Sequence, residues 1–330
     1  MNILFAFFAI LIIILAVIIG VETAQLELLF GVIIPYAAIA TFILGIVYRI
    51  LKWARSPVPF RIPTVTGQEK SLSWIKSNKL DSPNSTLGVI GRMALEILLF
   101  RSLFRNTKTQ LKDGPALVYG SSKYLWLGAL VFHWSFLIIV LRHFRYFAEP
   151  IPSFVVFLQN YDGLFQIGLP ILYITDVLIL AALTFLFLRR ITDPKLKYIS
   201  LASDYFPLFL IISVAVTGIL MRYFAKVDIV SVKELAIGLF SFNPVIPNGI
   251  GIMFYIHLFL VSVLIAYFPF SKLLHMPGVF LSPTRNLANN SRMKRHINPW
   301  NKPVRIHTYE EYEDEFRDKM KAAGIPVEKE

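Results

Sequence analysis

The chain has 330 residues, of which 56% are apolar and only 16% are charged. Soluble domains average about 45–50% apolar and about 25% charged residues, so a soluble enzyme, a disordered chain and a secreted disulfide scaffold are excluded. The sequence contains no cysteine, which removes thiolate ligands for zinc or iron–sulfur clusters and the covalent attachment of a c-type haem. The formal net charge of +12 fits the basic cytoplasmic loops of a membrane protein, and it requires no nucleic-acid partner.

Apolar stretches long enough to cross a bilayer occur six times. A transmembrane helix needs about 20 mostly apolar residues. The first stretch lacks the basic start and the small-residue cleavage site of a signal peptide, so we interpret it as an uncleaved anchor. The sequence therefore predicts an all-α integral membrane protein built as a six-transmembrane helix bundle. The predicted spans are Ile3–Gly20, Phe30–Leu51, Tyr119–Leu141, Phe165–Leu188, Tyr205–Tyr223 and Ile250–Leu274.

The distribution of basic residues predicts the orientation of these spans. Lysine and arginine accumulate in cytoplasmic loops. Of the 33 lysines and arginines, 28 lie on the side that contains both termini, which predicts that both termini are cytoplasmic. The five basic residues on the other side are Arg142, Arg145, Arg222, Lys226 and Lys233.

The chain divides by composition into four segments. Residues 1–51 hold the first two predicted helices, 52–118 form a cytoplasmic or interfacial insert, 119–275 hold the other four helices, and 276–330 form a cytoplasmic tail. Within the insert, Gly91–Arg105 predicts a basic amphipathic helix in the headgroup layer. A buried or re-entrant seventh helix is the alternative. The tail has no apolar block large enough for its own core, which favours binding along a cytoplasmic partner.

Four of the six histidines lie in only two predicted spans, where polar side chains are costly and usually functional. His133 and His143 are ten residues apart, about 15 Å along a helix. His257 and His275 are eighteen residues apart, about 27 Å along a straight helix. Because the two spans run in opposite directions, matching the depths pairs His143 with His257 and His133 with His275. Pro269 predicts a kink that would absorb part of the mismatch between the two spacings.

Two facing imidazoles from separate helices, repeated at two depths, are the ligand arrangement of two bis-histidine b-type haems. We expect the outer haem iron on His143 and His257 and the inner haem iron on His133 and His275. Four unrelated structural histidines are the alternative, and the depth pairing argues against it.

Charged residues near these depths are candidates for supporting roles. Guanidinium and ammonium groups can hold haem propionates through charge-assisted hydrogen bonds. Asp176, inside an apolar stretch, is a candidate proton carrier, or it pairs with a buried tyrosine or arginine. The candidate propionate partners are Arg142, Arg145, Arg222 and Lys226 at the outer depth, and Lys272 and Arg285 at the inner depth.

The histidine motifs His133-x9-His143 and His257-x17-His275, the second ending in Pro269–His275, resemble those of the gamma (cytochrome b) subunit family of respiratory nitrate reductase. Three insert motifs are similar to the DsrM branch of that family, the cytochrome b subunit of the membrane complex of dissimilatory sulfite reduction, also met as the Hme complex. These motifs are Pro59–Pro63, Ser73–Lys76 and Gly88–Asn106.

This resemblance implies a five-helix dihaem core plus one added N-terminal helix, in a prokaryotic cytoplasmic membrane. It implies two non-covalent b haems, menaquinol or menaquinone as substrate, and a cytoplasmic iron–sulfur subunit (DsrK-like) that resembles heterodisulfide reductase. Further DsrJ-, DsrO- and DsrP-like subunits are expected. The nitrate reductase branch has a small residue before the outer ligand where this chain has Arg142. We therefore expect a different quinol pocket, with Tyr161, Asp162 and Gln166 as candidates.

Three other functions are compatible with the sequence. A cytochrome b for a heterodisulfide or nitrate reductase keeps the haems and changes the partner. A haem-free transporter would use the buried histidines and Asp176 to relay protons. A structural anchor for peripheral subunits would make the histidine pairing a coincidence.

Overall fold

The computed structural model of the protein describes residues 2–56, 67–112, 114, 116–165, 170–293 and 303–329. These residues are mostly helical and belong to two compact units, Met1–Ser56 with Ile90–Asn286, and Pro57–Val89 with Leu287–Glu330. The α-helices are α1 (Asn2–Ile18), α2 (Ile34–Ala54), α3 (Thr86–Leu99), α4 (Arg101–Phe104), α5 (Lys123–His143), α6 (Ser153–Asp162), α7 (Ile174–Thr192), α8 (Pro194–Ile199), α9 (Ala202–Tyr223), α10 (Ile229–Phe240), α11 (Ile252–Tyr267), α12 (His275–Leu281), α13 (Pro283–Asn286) and α14 (Tyr309–Ala322). The strands are β1 (Thr107–Lys112), β2 (Ala116–Ser121), β3 (Gly163–Phe165) and β4 (Leu172–Tyr173).

Five helices among the described residues are long and apolar enough to cross a membrane. They correspond to the first, second, third, fifth and sixth predicted spans. The fourth predicted span contains α7, which has Asp176 in its first turn and Arg189 and Arg190 in its last turn. The count of six spans and the cytoplasmic position of both termini stay predictions. The five helices are Asn2–Thr23, Leu29–Ala54, Lys123–Tyr146, Ala202–Tyr223 and Ile252–Phe270.

Two predicted span boundaries are wrong because short strands precede the helices. β1 and β2 pair antiparallel, with Thr107 opposite Ser121, so the third span begins at Lys123 and not at Tyr119. Gly114, with φ of +82°, lies between these strands. β3 pairs antiparallel with β4, so α7, the helix of the fourth predicted span, begins at Ile174 and not at Phe165.

The insert helix predicted over Gly91–Arg105 is also divided. α3 ends at Leu99, Phe100 adopts a left-handed backbone conformation with φ of +49°, and α4 begins at Arg101. The motif Pro59–Pro63 lies outside the described residues.

The membrane helices bury one shared apolar core. α5 packs on α7, α1 packs on α9, and α11 packs on both α2 and α9. Buried side chains from α1, α7, α9 and α11 form a single cluster, for example Ile10, Ile179, Leu210 and Leu260. Many large apolar side chains remain exposed on the outside of this unit, which is the surface that a bilayer covers.

The sixth predicted span is not one continuous helix. α11 ends at Tyr267, a 3₁₀ turn covers Phe268–Phe270, and Ser271 is extended with φ of −114° and ψ of 176°. A second 3₁₀ turn, Lys272–Leu274, then leads into α12, which begins at His275. The expected kink is therefore a complete break, because Pro269 cannot donate the backbone hydrogen bond that would continue the helix.

Side chains satisfy the backbone groups that this break exposes. Arg49 Nε on α2 donates to the carbonyl of Pro269 at 3.0 Å. Ser271 Oγ donates to the carbonyl of Phe268 at 3.0 Å and accepts from the N–H of Leu273 at 3.2 Å. The break is therefore a hydrogen-bonded element, as buried backbone requires.

α2 lies so close to this break that only glycine fits at one position. A Cβ atom at Gly45 would lie 2.7 Å from Pro269 Cβ and 2.9 Å from Pro269 Cγ. We predict that Gly45→Ala lowers the stability of the protein by roughly 1–3 kcal/mol, the usual effect of overpacking. Thermal unfolding in detergent measures this change.

Gly91 on α3 provides the matched control. No described heavy atom lies within 4 Å of a Cβ atom built there, so Gly91→Ala should be neutral or stabilising through helix propensity. Equal losses of stability in both variants would contradict the packing argument.

The second unit contains the tail helix α14, which composition did not predict. Thr308 and Glu311 form a capping box at its start. The Glu313 side chain is 2% exposed, and its carboxylate accepts backbone N–H groups of Glu328 and Lys329 at 2.7 and 2.8 Å. These hydrogen bonds, with that from Arg317, lower the pKa of Glu313, because they favour the ionised carboxylate. The last residues of the tail therefore fold back onto the helix by donating hydrogen bonds to this carboxylate.

The hydrogen bonds to the Glu313 carboxylate make the folded-back end of the tail sensitive to pH. Because the pKa is lowered on folding, the stabilisation is present above the ordinary glutamate pKa of about 4.3 and is lost as the pH falls through the folded value. We expect protection of the Glu328 and Lys329 amides from hydrogen exchange, measured in the full chain, to fall over that range.

Glu313→Gln should weaken this protection and remove its pH dependence. Glu315→Gln is the control, since Glu315 lies on the same helix with its side chain 55% exposed. A pH profile that Glu313→Gln leaves unchanged would rule out the carboxylate as its source.

Candidate functional site

The first histidine pair joins the end of α5 to α11. The rings of His143 and His257 have centroids 6.5 Å apart and planes 12° apart. His143 Nδ1 lies 2.7 Å from the carbonyl of Ile139. His257 Nδ1 lies 2.9 Å from Thr217 Oγ1 on α9. The Thr217 hydroxyl donates to the carbonyl of Ser213 at 2.8 Å, so its oxygen is available to accept the His257 Nδ1–H.

The second histidine pair joins the middle of α5 to the start of α12. The rings of His133 and His275 have centroids 5.9 Å apart and planes 86° apart. His133 Nδ1 lies 2.7 Å from the carbonyl of Ala129, and His275 Nδ1 lies 3.1 Å from the carbonyl of Lys272. The break after α11 allows this contact, because a straight helix would carry His275 past the depth of His133.

All four imidazoles fit the role of axial haem ligands. Metal-binding histidines usually donate one ring N–H to an oxygen, which leaves the other nitrogen for the metal. Here every Nδ1 has an oxygen partner, so every Nε2 is available. A nitrogen lies about 2 Å from a bound metal ion, which places the centroids of two opposed imidazoles roughly 6 Å apart. The ligand roles themselves stay a prediction.

The helices that carry the first histidine pair do not pack closely on each other. Over the described residues, α5 does not pack closely on α11; α5 packs on α7, whereas α11 packs on α2 and α9. Gly218 on α9 lies beside the first pair, where a Cβ atom would approach His257 Cε1 to 3.3 Å. Helices that hold a cofactor between them need this separation.

A buried ionic cluster adjoins the first pair, because Arg142 directly precedes His143. Arg142 Nη2 donates to Asp176 Oδ1 at 2.9 Å and to Thr175 Oγ1 at 3.1 Å, and Arg142 Nε lies 3.2 Å from Asp162 Oδ2. The N–H and hydroxyl of Thr175 both donate to Asp162, at 2.9 and 2.6 Å. The structure therefore places Arg142 between two carboxylates.

Two tyrosines and a second arginine complete this cluster. Tyr223 donates its hydroxyl proton to Asp176 Oδ2 at 2.8 Å. The guanidinium groups of Arg142 and Arg222 lie over the ring of Tyr173, at 3.7 and 4.1 Å from its centroid. Two arginines and two aspartates leave the cluster without net formal charge, which is how buried charges are tolerated.

The remaining candidates are scattered. Tyr161 is 73% exposed, and Gln166 lies outside the described residues. Lys272 Nζ pairs with Asp204 at 2.6 Å, and Arg285 Nη1 pairs with Glu96 at 2.9 Å. Arg145 lies over the ring of Tyr146 at 5.8 Å, and Lys226 is exposed.

Sequence reasoning missed four residues that contact the site: Thr217, Tyr173, Tyr223 and Phe100. Thr217 is a polar residue inside an apolar span, which is a signal of function. The tyrosines have no such signal, because tyrosine is common at membrane interfaces.

The comparison with known proteins agrees with this architecture. The family model of the nitrate reductase gamma subunit matches residues 89–295, which include all four paired histidines. The chain belongs to this family, and it is a multi-pass protein of a prokaryotic cytoplasmic membrane.

Two archaeal proteins are similar over most of their length. The chain is 44% identical over 283 residues to the Hdr-like menaquinol oxidoreductase cytochrome b-like subunit of Archaeoglobus fulgidus, with 84% of each chain covered. It is 42% identical over 274 residues to the protein of the same name from Archaeoglobus profundus, with 81% of each covered.

The ionic cluster yields a stability prediction. Arg142→Gln leaves Asp162 and Asp176 buried without their cation, which should cost about 3–5 kcal/mol. Thermal unfolding in detergent would show this as a large fall in midpoint.

Lys233→Gln is the control, because Lys233 pairs with Glu149, whose side chain is 69% exposed, and surface pairs contribute about 1 kcal/mol or less. A loss in Arg142→Gln no larger than in the control would show that the cluster does not stabilise the bundle.

Proposed function

We propose that this chain is a dihaem membrane cytochrome b that transfers electrons between menaquinol and a cytoplasmic iron–sulfur subunit. His143 and His257 hold the outer b haem, and His133 and His275 hold the inner one. The observation that carries the proposal is the pair of imidazole–imidazole contacts at 6.5 and 5.9 Å, each with both Nδ1 atoms engaged.

When bound, the haems supply one-electron carriers at two depths of the membrane. Basic residues near each pair would compensate the propionate charges. Arg145 is better suited than Arg142 at the outer pair, because the guanidinium of Arg142 already contacts two aspartates. Lys272 remains the candidate at the inner pair, since its side chain is 72% exposed although it pairs with Asp204. Arg222 instead donates to the carbonyl of Ile171 at 3.1 Å, which favours a structural role.

The ionic cluster beside His143 is our proposed route for quinol protons. Oxidation of one menaquinol releases two electrons and two protons. Tyr223 is only partly buried and its hydroxyl donates to Asp176 Oδ2, so the Tyr223 oxygen can accept a quinol proton as its own hydroxyl proton passes to that carboxylate. Asp162 holds Arg142 and Thr175 in place and acts as a positioning residue. Tyr161 and Gln166 stay candidates from the sequence for contact with the quinol ring.

The electron acceptor lies in another chain, because this sequence has no cysteine for an iron–sulfur cluster. The name of the two archaeal relatives, Hdr-like menaquinol oxidoreductase, supports menaquinol as substrate and a partner of the heterodisulfide reductase type. The link to sulfite reduction, with DsrK-, DsrJ-, DsrO- and DsrP-like subunits, depends on the insert motifs alone. Proton release outside and electron delivery inside would build a membrane potential, and the reverse direction would use the same residues.

A haem count tests this function. We expect the purified chain, expressed with ample haem, to bind two b haems and to show their α-band in a dithionite-reduced-minus-oxidised spectrum. His143→Ala or His257→Ala should lose one haem and keep the other at least in part, because the remaining pair is intact. His133→Ala or His275→Ala should lose the other.

His307→Ala is the control, because His307 belongs to the tail and to the other compact unit. A chain without haem would support the proton-relaying transporter instead. Loss of both haems, or of neither, in the single variants would contradict the pairing.

A further inference from the structure

The backbone of Phe100 is an outlier with a specific location. Phe100 joins α3 to α4 and has φ of +49° and ψ of 46°, the left-handed region. Bulky residues rarely adopt this conformation, since their Cβ crowds the carbonyl oxygen. Glycine adopts it without strain, so a phenylalanine here indicates that its side chain serves a purpose.

Hydrogen bonds hold the chain on both sides of this residue. On the α3 side, two tryptophans of α5 bind the last carbonyls of the helix. Trp126 Nε1 donates to Leu99 at 2.7 Å, and Trp134 Nε1 donates to Leu98 at 3.1 Å. The N–H of Phe100 itself donates to the carbonyl of Glu96 at 3.1 Å.

The α4 side is tied to the same glutamate. Glu96 Oε2 accepts the N–H and the hydroxyl of Ser102, at 3.0 and 2.7 Å. Arg285 Nη1 lies 2.9 Å from Glu96 Oε1 and donates to Ser102 Oγ at 2.8 Å. Phe100 therefore stays in its strained conformation because its neighbours fix it.

The result is a ring placed against the second histidine pair. The centroid of the Phe100 ring lies 5.0 Å from that of His133, at an interplanar angle of 78°. Phe132 makes a similar edge contact with the same imidazole, at 4.9 Å and 82°. With Nδ1 held by Ala129, two phenyl groups then limit the rotation of the His133 ring.

We propose that Phe100 is a positioning residue that fixes the plane of the His133 imidazole, and through it the electronic environment of the inner haem. The inference rests on the proposed function. Axial ligands and their surroundings set the properties of haem iron. A side chain that limits the rotation of the His133 ring would therefore act on the inner haem, and the left-handed residue between α3 and α4 places such a side chain there.

The test replaces the ring in the full chain and reads out the haems by spectroscopy, with no turnover assay. Phe100→Gly removes the ring and the backbone strain together, and Phe100→Leu keeps an apolar side chain but loses the flat edge. We expect both variants to retain two haems per chain. Both should broaden or shift the low-spin ferric EPR signal of the inner haem and change its midpoint potential, while the outer haem stays as in wild type. The same variants in the His143→Ala background assign the affected signal to the inner haem.

Phe242→Leu is the matched control. Phe242 also has a left-handed backbone conformation, with φ of +57°, but its ring stacks on Tyr36 with centroids 5.8 Å apart. Wild-type signals in both Phe100 variants, or the same change in Phe242→Leu, would overturn this inference while leaving the haem assignment intact. A wild-type chain without haem would overturn the proposed function and the inference together.

Discussion

The site depends on the different roles of the two nitrogens in each imidazole ring. A neutral histidine has one nitrogen that donates and one that accepts. In all four paired histidines an oxygen lies within hydrogen-bond distance of Nδ1. Three of these oxygens are carbonyls three or four residues earlier in the chain, so the helical turn itself orients the ring. The fourth is the hydroxyl of Thr217, which makes α9 a structural part of the first pair.

The break in the sixth span is what makes two pairs possible. Histidines eighteen residues apart on one straight helix would lie about 27 Å apart, against about 15 Å for the pair on α5. The extended residue Ser271 and the two 3₁₀ turns change that geometry. Their cost is limited because Arg49 and Ser271 satisfy the freed backbone groups.

Five of the spans and the pairing of the four histidines could be predicted, because both follow from composition and helical rise. Pro269 predicts a disturbance of the sixth helix, but nothing local specifies that the extended residue is Ser271. The predicted start of the third span is wrong because the β2 sequence, Ala116–Ser121, is as apolar as a helix start. Strand pairing depends on a partner segment, and the hydropathy of one segment carries no information about that partner.

The ionic cluster shows a different limit. Its position next to His143 in the sequence predicts Arg142 as a partner for propionates, whereas the folded chain brings Asp162 and Asp176 to it from two other helices. Such contacts join residues far apart in sequence. The proposal that Asp176 pairs with a tyrosine or an arginine is confirmed for both, through Tyr223 and Arg142.

The extended residue at Ser271 has a consequence for how relatives are recognised. In an uninterrupted helix, one inserted residue rotates every later side chain by about 100°. Here an insertion next to Ser271 would be absorbed in non-helical backbone, and His275 would keep its direction. The number of residues between His257 and His275 can therefore vary, and a homologue with another spacing can form the same two contacts.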